Sequence, residues 1–184
     1  MSRFEICLSG HGGQGMVLSG KILGEALALF LGKNVVQTQS YGPEARGGKS
    51  RSEIILSEEP IDYPKIIKLD LLLAMSQESL NSYLPNLRDG GILVVDNFGV
   101  KNIPIGKYKT YRLDIALTSK NELGKIIFGN IIALGAIAAI TKIIPLEQLE
   151  KAVLSNVPKA TGDSNKKALE IGFKIGREAL ERQS

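Results

Sequence analysis

Apolar residues along the chain follow two patterns, short runs that suit strands and longer runs spaced as on one face of a helix. Strands are predicted at 4–9, 35–38, 51–56, 69–75, 92–96 and 108–113. Helices are predicted over 16–31, from Ser76 to about Leu87, in a short stretch after Asp114, within 125–142, from Pro145 to about Leu154, and over 165–182. This alternation predicts one α/β domain spanning residues 1–184, a three-layer α/β/α sandwich around a mostly parallel, Rossmann-like sheet.

Residues at the element boundaries add detail to this outline. Ser76 is a favourable N-cap, and Asp89-Gly90-Gly91 is expected to end the helix that Ser76 opens. Asp114 is expected to cap the following helix, and residues 58–64 are interpreted as a turn that suits a hairpin. The first strand, the first helix and the second strand are expected to form a right-handed β-α-β unit with parallel strands.

The stretch between Lys125 and Lys142 is the most apolar part of the chain. It is shorter than the roughly 20 residues that a membrane-spanning helix needs, and Asn130 interrupts it, so a buried helix is expected. Its small residues would let another helix, or another subunit, approach closely: Gly129, Ala133, Gly135, Ala136 and Ala139.

A glycine-rich loop joins the first predicted strand to the first predicted helix. Gly10, Gly12 and Gly15 fit the pattern G-x-G-x-x-G, in which backbone N–H groups at a helix start can approach a phosphate. A dinucleotide site also needs a carboxylate at the end of the second strand, and residues 35–40 contain none. The Walker A spacing is absent as well. The loop therefore predicts a phosphate or partner site, with a tight turn that serves packing alone as the alternative.

A second glycine-rich loop, residues 39–50, follows the second predicted strand. In a doubly wound fold it lies at the same sheet edge as the first loop, where ligands bind. Arg46, Lys49 and Arg51 could meet phosphates or carboxylates there, and Tyr41 adds an aromatic face. A solvated charged loop is the alternative, and the convergence of two glycine-rich loops favours a site or an interface.

Composition narrows the class of protein. The chain is 43% hydrophobic and 23% charged with a net charge of +4, which is typical of a soluble globular protein and gives no nucleic-acid signal. The single cysteine, Cys7, is expected to be a small core residue, and it cannot form an internal disulfide or a cysteine-rich cluster. A signal peptide is not expected, so a reducing cytoplasm is the predicted location.

A catalytic set is not visible in the sequence. His11 is the only histidine, and we interpret it as a loop residue that bonds locally or faces a partner. No catalytic residue and no metal ligand are assigned, so the chain is interpreted as a binding subunit rather than a complete enzyme.

Several blocks of sequence together resemble one family. These blocks are Gly10-His-Gly-Gly-Gln-Gly15, Thr38-Gln-Ser-Tyr-Gly-Pro-Glu-Ala-Arg-Gly-Gly48, Ser50-Arg-Ser-Glu53, Ile61-Asp-Tyr-Pro64, Leu73-Ala-Met-Ser-Gln77, Gly129-Asn130 and Ala133-Leu-Gly-Ala136. They resemble the gamma subunit of 2-oxoacid:ferredoxin oxidoreductases, and the second block looks most like the 2-oxoglutarate branch. The resemblance covers residues 3 to 140, with a weaker tail.

The resemblance implies a multi-subunit enzyme that decarboxylates 2-oxoglutarate, reduces ferredoxin and forms succinyl-coenzyme A. It implies alpha and beta subunits as partners, with a delta subunit left open, and it places thiamine diphosphate, magnesium and iron–sulfur clusters on those partners. It also places a set of residues at a coenzyme A or partner edge: Gly10, Gly12, Gly13, Gln14, Gly15, Tyr41, Glu44, Arg46 and Gly47.

The isolated chain is expected to be inactive, to contact ferredoxin only through the complex and to bind neither nucleic acid nor membrane, while self-association stays open. Two alternatives remain at this point. One is a subunit of a pyruvate- or indolepyruvate-type oxidoreductase, and the other is a free-standing, non-catalytic nucleotide-binding module.

Overall fold

The computed structural model describes residues 3–41 and 48–183, and of Tyr41 it describes the backbone alone. The strands are β1 Phe4–His11, β2 Asn34–Tyr41, β3 Lys49–Ser57, β4 Leu69–Ala74, β5 Leu87–Asp96 and β6 Lys109–Leu113. The α-helices are α1 Met16–Glu25, α2 Gln77–Tyr83, α3 Ile115–Leu123, α4 Gly129–Thr141, α5 Leu146–Asn156 and α6 Gly162–Glu181. A π-helical turn, Ala26–Phe30, extends α1, and short 3₁₀ turns lie at Leu84–Asn86, Ile126–Phe128 and Lys159–Thr161.

The six strands form one sheet in the order β2-β3-β1-β4-β5-β6. Strands β1, β4, β5 and β6 are parallel neighbours, and β3 is antiparallel to both β1 and β2. The predicted α/β sandwich around a mostly parallel sheet is therefore confirmed. The expected β-α-β unit has the predicted strand direction, because β1 and β2 run parallel. However, β3 lies between them, and hydrophobic periodicity could not predict this because it reports burial and not strand order.

Helix α1 packs closely on the antiparallel part of the sheet. A side chain at Gly20 would collide with Ser52 on β3, whereas one at Gly24 would make ordinary contacts, the nearest at 3.6 Å to Gln37 on β2. Glycine at position 20 therefore lets α1 lie close against the sheet.

The larger core lies on the α1 side of the sheet, where α4, α5 and α6 also pack. Glycines make the α4–α6 contact close, because a Cβ atom at Gly135 would collide with the Leu169 carbonyl and one at Gly176 would lie 2.7 Å from the Ala136 carbonyl oxygen. The small residues of α4 thus allow the close approach of α6, a helix of the same chain. Over residues 3–41 and 48–183, every helix is too short or too polar to span a bilayer.

The opposite face carries α2, the segment 97–108 and a smaller core that contains Cys7. Cys7 is buried as predicted, and burial, followed by the charge of Glu53, raises its pKa to about 12. Ser76 caps α2 as predicted, since its hydroxyl oxygen accepts the Ser79 N–H.

Two segments predicted to be turns have a different role in the structure. Asp89-Gly90-Gly91 does not end a helix, because α2 ends earlier and these residues form an irregular part of β5 in which Gly90 has a φ of 78°. Residues 58–64 do not close a hairpin, because β3 and β4 flank β1 on opposite sides. The hairpin is formed by β2 and β3.

Candidate functional site

The glycine loop turns from β1 into α1 at the carboxyl edge of the parallel strands. Gly13 and Gly15 have φ angles of 90° and 75°, which residues with side chains rarely adopt. The turn is closed by Gln14, whose Oε1 accepts the His11 N–H at 2.7 Å and whose own N–H donates to the His11 carbonyl at 3.1 Å. His11 is exposed at the end of β1 and bonds locally through its backbone.

Gly10 and Gly15 both have close neighbours. A Cβ atom at Gly10 would collide with the Gln14 amide oxygen, and one at Gly15 would lie 2.6 Å from the Asn130 amide nitrogen. The loop is therefore packed against the start of α4 as well as against itself.

The second glycine-rich loop reaches the same edge in its described part. The Gly12 N–H donates to the Gly48 carbonyl at 2.7 Å, and Tyr41, Ser50 and Gly10 lie in one row across β2, β3 and β1. Three residues of the predicted site, Glu44, Arg46 and Gly47, lie outside the described residues, as does the side chain of Tyr41.

The basic residues after the second loop are held by other parts of the chain. Lys49 contacts Glu78 at 3.3 Å and donates to the Ser82 hydroxyl at 3.2 Å, both on α2. The Arg51 guanidinium lies 5.1 Å from the ring centre of Tyr83 and 3.4 Å from the Glu53 carboxylate. These two cations therefore contribute to the contact between β3 and α2. Their proposed contact with an anionic ligand stays a prediction.

A cleft of about 150 Å³ opens beside the glycine loop. It is lined by Gly13, Gln14, Met75, Phe98, Ala116, Ile126, Ile127, Gly129 and Asn130. Asn130 is only 6% exposed, and its amide nitrogen makes a long contact of 3.5 Å with the Gly15 carbonyl. The loop before α1 and the first residues of α4 thus meet at a mostly apolar cleft.

Asp96 organises the far side of this edge. It is buried at the end of β5, and its two carboxylate oxygens accept the N–H groups of Ala116, at 3.1 Å, and Gly99, at 3.2 Å. Burial raises the pKa of Asp96, and the backbone hydrogen bonds oppose that increase. The carboxylate ties the turn after β5 to the start of α3. Asp114 does not cap α3 through its side chain, because its carboxylate accepts the Asn97 amide at 2.9 Å.

Several residues of this edge were not predicted from the sequence. Phe98, Ile126 and Ile127 are 73%, 65% and 62% exposed, although the two isoleucines were expected inside a buried helix. An aromatic residue directly after the polar pair Asp96-Asn97 was the available signal for Phe98. No sequence signal separates the two isoleucines from the buried run that follows, although α4 begins only at Gly129. Over residues 3–41 and 48–183 there is no cluster of three or more His, Cys, Asp or Glu that could hold a metal ion.

Fold and site together define the class, an α/β protein that presents a glycine loop and an apolar cleft at the carboxyl edge of its sheet. The chain belongs to the pyruvate ferredoxin/flavodoxin oxidoreductase family, whose model matches residues 5–175. The resemblance inferred from the sequence blocks is thereby confirmed.

Three individual proteins illustrate the similarity. The 2-oxoglutarate synthase subunit KorC of Methanocaldococcus jannaschii is 43% identical over 178 residues, which cover 96% of this chain and 95% of that protein. The gamma subunit of a keto/oxoacid ferredoxin oxidoreductase from Geobacter sulfurreducens has a TM-score of 0.89 and 45% identity, covering 97% of this chain and 99% of that chain.

The third protein shows the same fold inside a longer chain. A 2-oxoglutarate:ferredoxin oxidoreductase from Magnetococcus marinus, solved with 2-oxoglutarate, coenzyme A and succinyl-CoA bound, has a TM-score of 0.79 at 20% identity. The match covers 98% of this chain and 31% of that chain. In that enzyme the fold is one part of a larger polypeptide.

Proposed function

We propose that this chain is the gamma subunit of a 2-oxoglutarate:ferredoxin oxidoreductase. The complex would decarboxylate 2-oxoglutarate oxidatively, form succinyl-coenzyme A and reduce ferredoxin. The observation that carries the proposal is the similarity to a 2-oxoglutarate synthase subunit over 96% of this chain and 95% of that protein, which leaves little of either chain unaccounted for.

The redox chemistry belongs to the partner subunits in this proposal. The alpha and beta subunits, with or without a delta subunit, hold thiamine diphosphate, magnesium and the iron–sulfur clusters. This chain contributes to assembly and to coenzyme A access at its carboxyl edge. A cytoplasmic location fits the unpaired, buried thiol of Cys7.

The carboxyl edge has the chemistry for part of coenzyme A. The glycine loop that precedes α1 lies beside the cleft, and a helix N-terminus favours phosphate groups because its free N–H groups carry partial positive charge. The glycine loop therefore fits the phosphate groups of coenzyme A.

Reconstitution tests the proposed activity. The full chain is combined with its partner subunits, and reduction of ferredoxin is followed with 2-oxoglutarate, pyruvate and indolepyruvate in the presence of coenzyme A. We expect turnover with 2-oxoglutarate to exceed turnover with the other acids, and no turnover by the chain alone. A preference for pyruvate or indolepyruvate would move the chain to another branch, and turnover by the chain alone would refute the subunit assignment.

A single isosteric substitution tests the coenzyme A contact. Gln14→Glu keeps the oxygen that accepts the His11 N–H but adds a negative charge beside the proposed phosphate position. We expect the KM for coenzyme A to rise about tenfold, as for the loss of one favourable charge interaction, while the KM for 2-oxoglutarate stays unchanged. Gln183→Glu, at the end of α6, makes the same charge change as a control. Equal KM values in the two variants would contradict the contact.

A further inference from the structure

Four large apolar side chains are exposed near the carboxyl edge, and three of them, Phe98, Ile126 and Ile127, line the cleft. Phe98, Ile126, Ile127 and Leu117 are 73%, 65%, 62% and 48% exposed, and we call these four residues the apolar rim. They come from the turn after β5, the 3₁₀ turn before α4, and α3. Exposed apolar side chains gathered on one surface are typical of an interaction site.

The cleft inside the apolar rim has the size of a single side chain. Its volume is about 150 Å³, and Met75, Phe98, Ile126 and Ile127 supply most of its apolar lining. An apolar cavity of this size can hold a group about as large as a benzene ring. Binding energy at protein interfaces concentrates where one anchor side chain fills such a pocket.

The apolar rim is held in place before any partner binds. Asp96 fixes Gly99 and Ala116, the neighbours in sequence of Phe98 and Leu117. Lys101 donates to the Asn97 carbonyl at 2.8 Å and lies over the Phe98 ring, 5.8 Å from its centre. A surface ordered in advance loses less conformational entropy on association.

The charges around the apolar rim indicate what kind of surface covers it. Lys101 lies over Phe98, Lys125 precedes Ile126, and Lys120 follows Leu117 by three residues on the same face of α3. Asp114 is an opposing carboxylate at the start of α3. A second copy of this chain would bring lysines against lysines, whereas a partner with carboxylates around an apolar centre would be complementary.

We infer that the apolar rim and its cleft are the docking site for a partner subunit of the oxidoreductase, which inserts one aromatic or large aliphatic side chain and borders it with carboxylates. This inference rests on the proposed function, which supplies the partner. It agrees with the Magnetococcus marinus enzyme, in which the fold is covalently part of a longer chain. Docking at this edge also brings the partner next to the glycine loop.

The test compares two isoleucines of equal exposure at opposite edges of the sheet. Ile126 is 65% exposed at the carboxyl edge, and Ile67 is 66% exposed just before β4 at the amino edge. The dissociation constant for the purified partner subunits is measured for the parent chain, Ile126→Asp, Ile67→Asp and Phe98→Ser, after thermal unfolding has shown that each variant is folded.

We expect Ile126→Asp and Phe98→Ser each to raise the dissociation constant about 30-fold, as for a central interface residue, and Ile67→Asp to change it by no more than about twofold. Raising the salt concentration is expected to weaken binding of the parent chain, and Lys125→Glu is expected to reduce that salt dependence. Since these side chains are exposed, the variants are expected to unfold near the parent temperature.

The outcomes separate the docking site from the proposed function. If the parent chain binds the partners and all four chains bind them equally well, the docking site is wrong and the proposed function stands. If the parent chain does not bind the partners at all, the proposed function fails with it. If the parent chain instead forms a dimer that Ile126→Asp dissociates, a second copy occupies the surface and the inference is overturned.

Discussion

Each edge of the parallel sheet has a buried carboxylate that fixes a loop, but the two loops differ in what they expose. At the amino edge, the buried carboxylate of Glu5 accepts the N–H groups of Ile67, at 2.7 Å, and Lys68, at 2.8 Å, and pairs with Arg3. At the carboxyl edge, the buried carboxylate of Asp96 accepts the N–H groups of Gly99 and Ala116. In both places one acid fixes a loop to a neighbouring element.

The difference between the edges lies in what each acid holds in place. Glu5 is joined to Asp70, which pairs with Arg88 at 2.8 Å, so a polar network within the chain holds the segment before β4. Asp96 holds a turn that exposes Phe98 beside an open cleft. Buried carboxylates therefore identify rigid loops, and the surface next to them shows which loop is available to a partner.

The largest effect is expected for Glu5→Ala at the amino edge. The substitution leaves two backbone N–H groups and Arg3 without their carboxylate, which should lower the free energy of unfolding by about 4 kcal/mol. Affinity for the partner subunits should be retained at temperatures where the variant is folded. Urea unfolding and a binding titration measure the two quantities, and a loss of affinity in the folded variant would break the division between the edges.

Asp96→Ala is the matching change at the carboxyl edge. It should lower the free energy of unfolding by about 2 kcal/mol, because two backbone N–H groups lose their acceptor. Unlike Glu5→Ala, it should also weaken partner binding at temperatures where the variant is folded, since Phe98 and Leu117 lose their support. Unchanged affinity in the same titration would show that the apolar rim does not depend on this carboxylate.

Glycine substitutions at the two edges are expected to change the free energy of unfolding by smaller amounts. Gly15 and Gly32 both have positive φ angles, of 75° and 62°, but a Cβ atom at Gly15 meets Asn130 whereas one at Gly32 meets nothing within 4 Å. Gly32→Ala should cost about 1 kcal/mol for the backbone conformation alone, and Gly15→Ala about 2 kcal/mol. Chemical unfolding tests this order, and equal losses would mean that Asn130 moves aside freely.

The smallest effect concerns pH. Burial raises the pKa of Asp96 above its ordinary value of 3.8, so the folded chain binds this proton more tightly than the unfolded chain. Its contribution to the free energy of unfolding should therefore fall as pH rises from about 3.8 through the raised pKa, and then level off. In the Asp96→Asn variant this part of the fall in the free energy of unfolding should be absent. The part due to Asp70, whose pKa is also raised by burial, should remain. Parallel curves for parent and variant in urea unfolding would contradict this assignment.

Local patterns predicted the elements and their faces well. The burial of Cys7, the cap at Ser76 and the glycine turn after β1 all follow from a few neighbouring residues. The position of β3 between β1 and β2 could not be predicted, because strand pairing depends on contacts distant in sequence. The exposure of Ile126 and Ile127 was missed for a related reason, since their sequence is as apolar as that of the buried helix that follows.

Only the glycine-loop part of this edge was predicted from the sequence. The loop is recognisable by its composition, whereas Asp96 and Phe98 reach the same edge through the order of the parallel strands. For Lys49 and Arg51 a sequence shows the charge but not the carboxylates that they contact, Glu78 and Glu53, because those contacts depend on the fold.

The most direct test of the central claim is to purify the chain, in its native complex, from cells that produce it and to identify the proteins that remain bound. We expect larger subunits carrying thiamine diphosphate and iron–sulfur clusters in fixed ratio to this chain, and 2-oxoglutarate-dependent reduction of ferredoxin in the same fraction. Recovery of the chain free of such subunits, with the 2-oxoglutarate activity in fractions that lack it, would contradict the account.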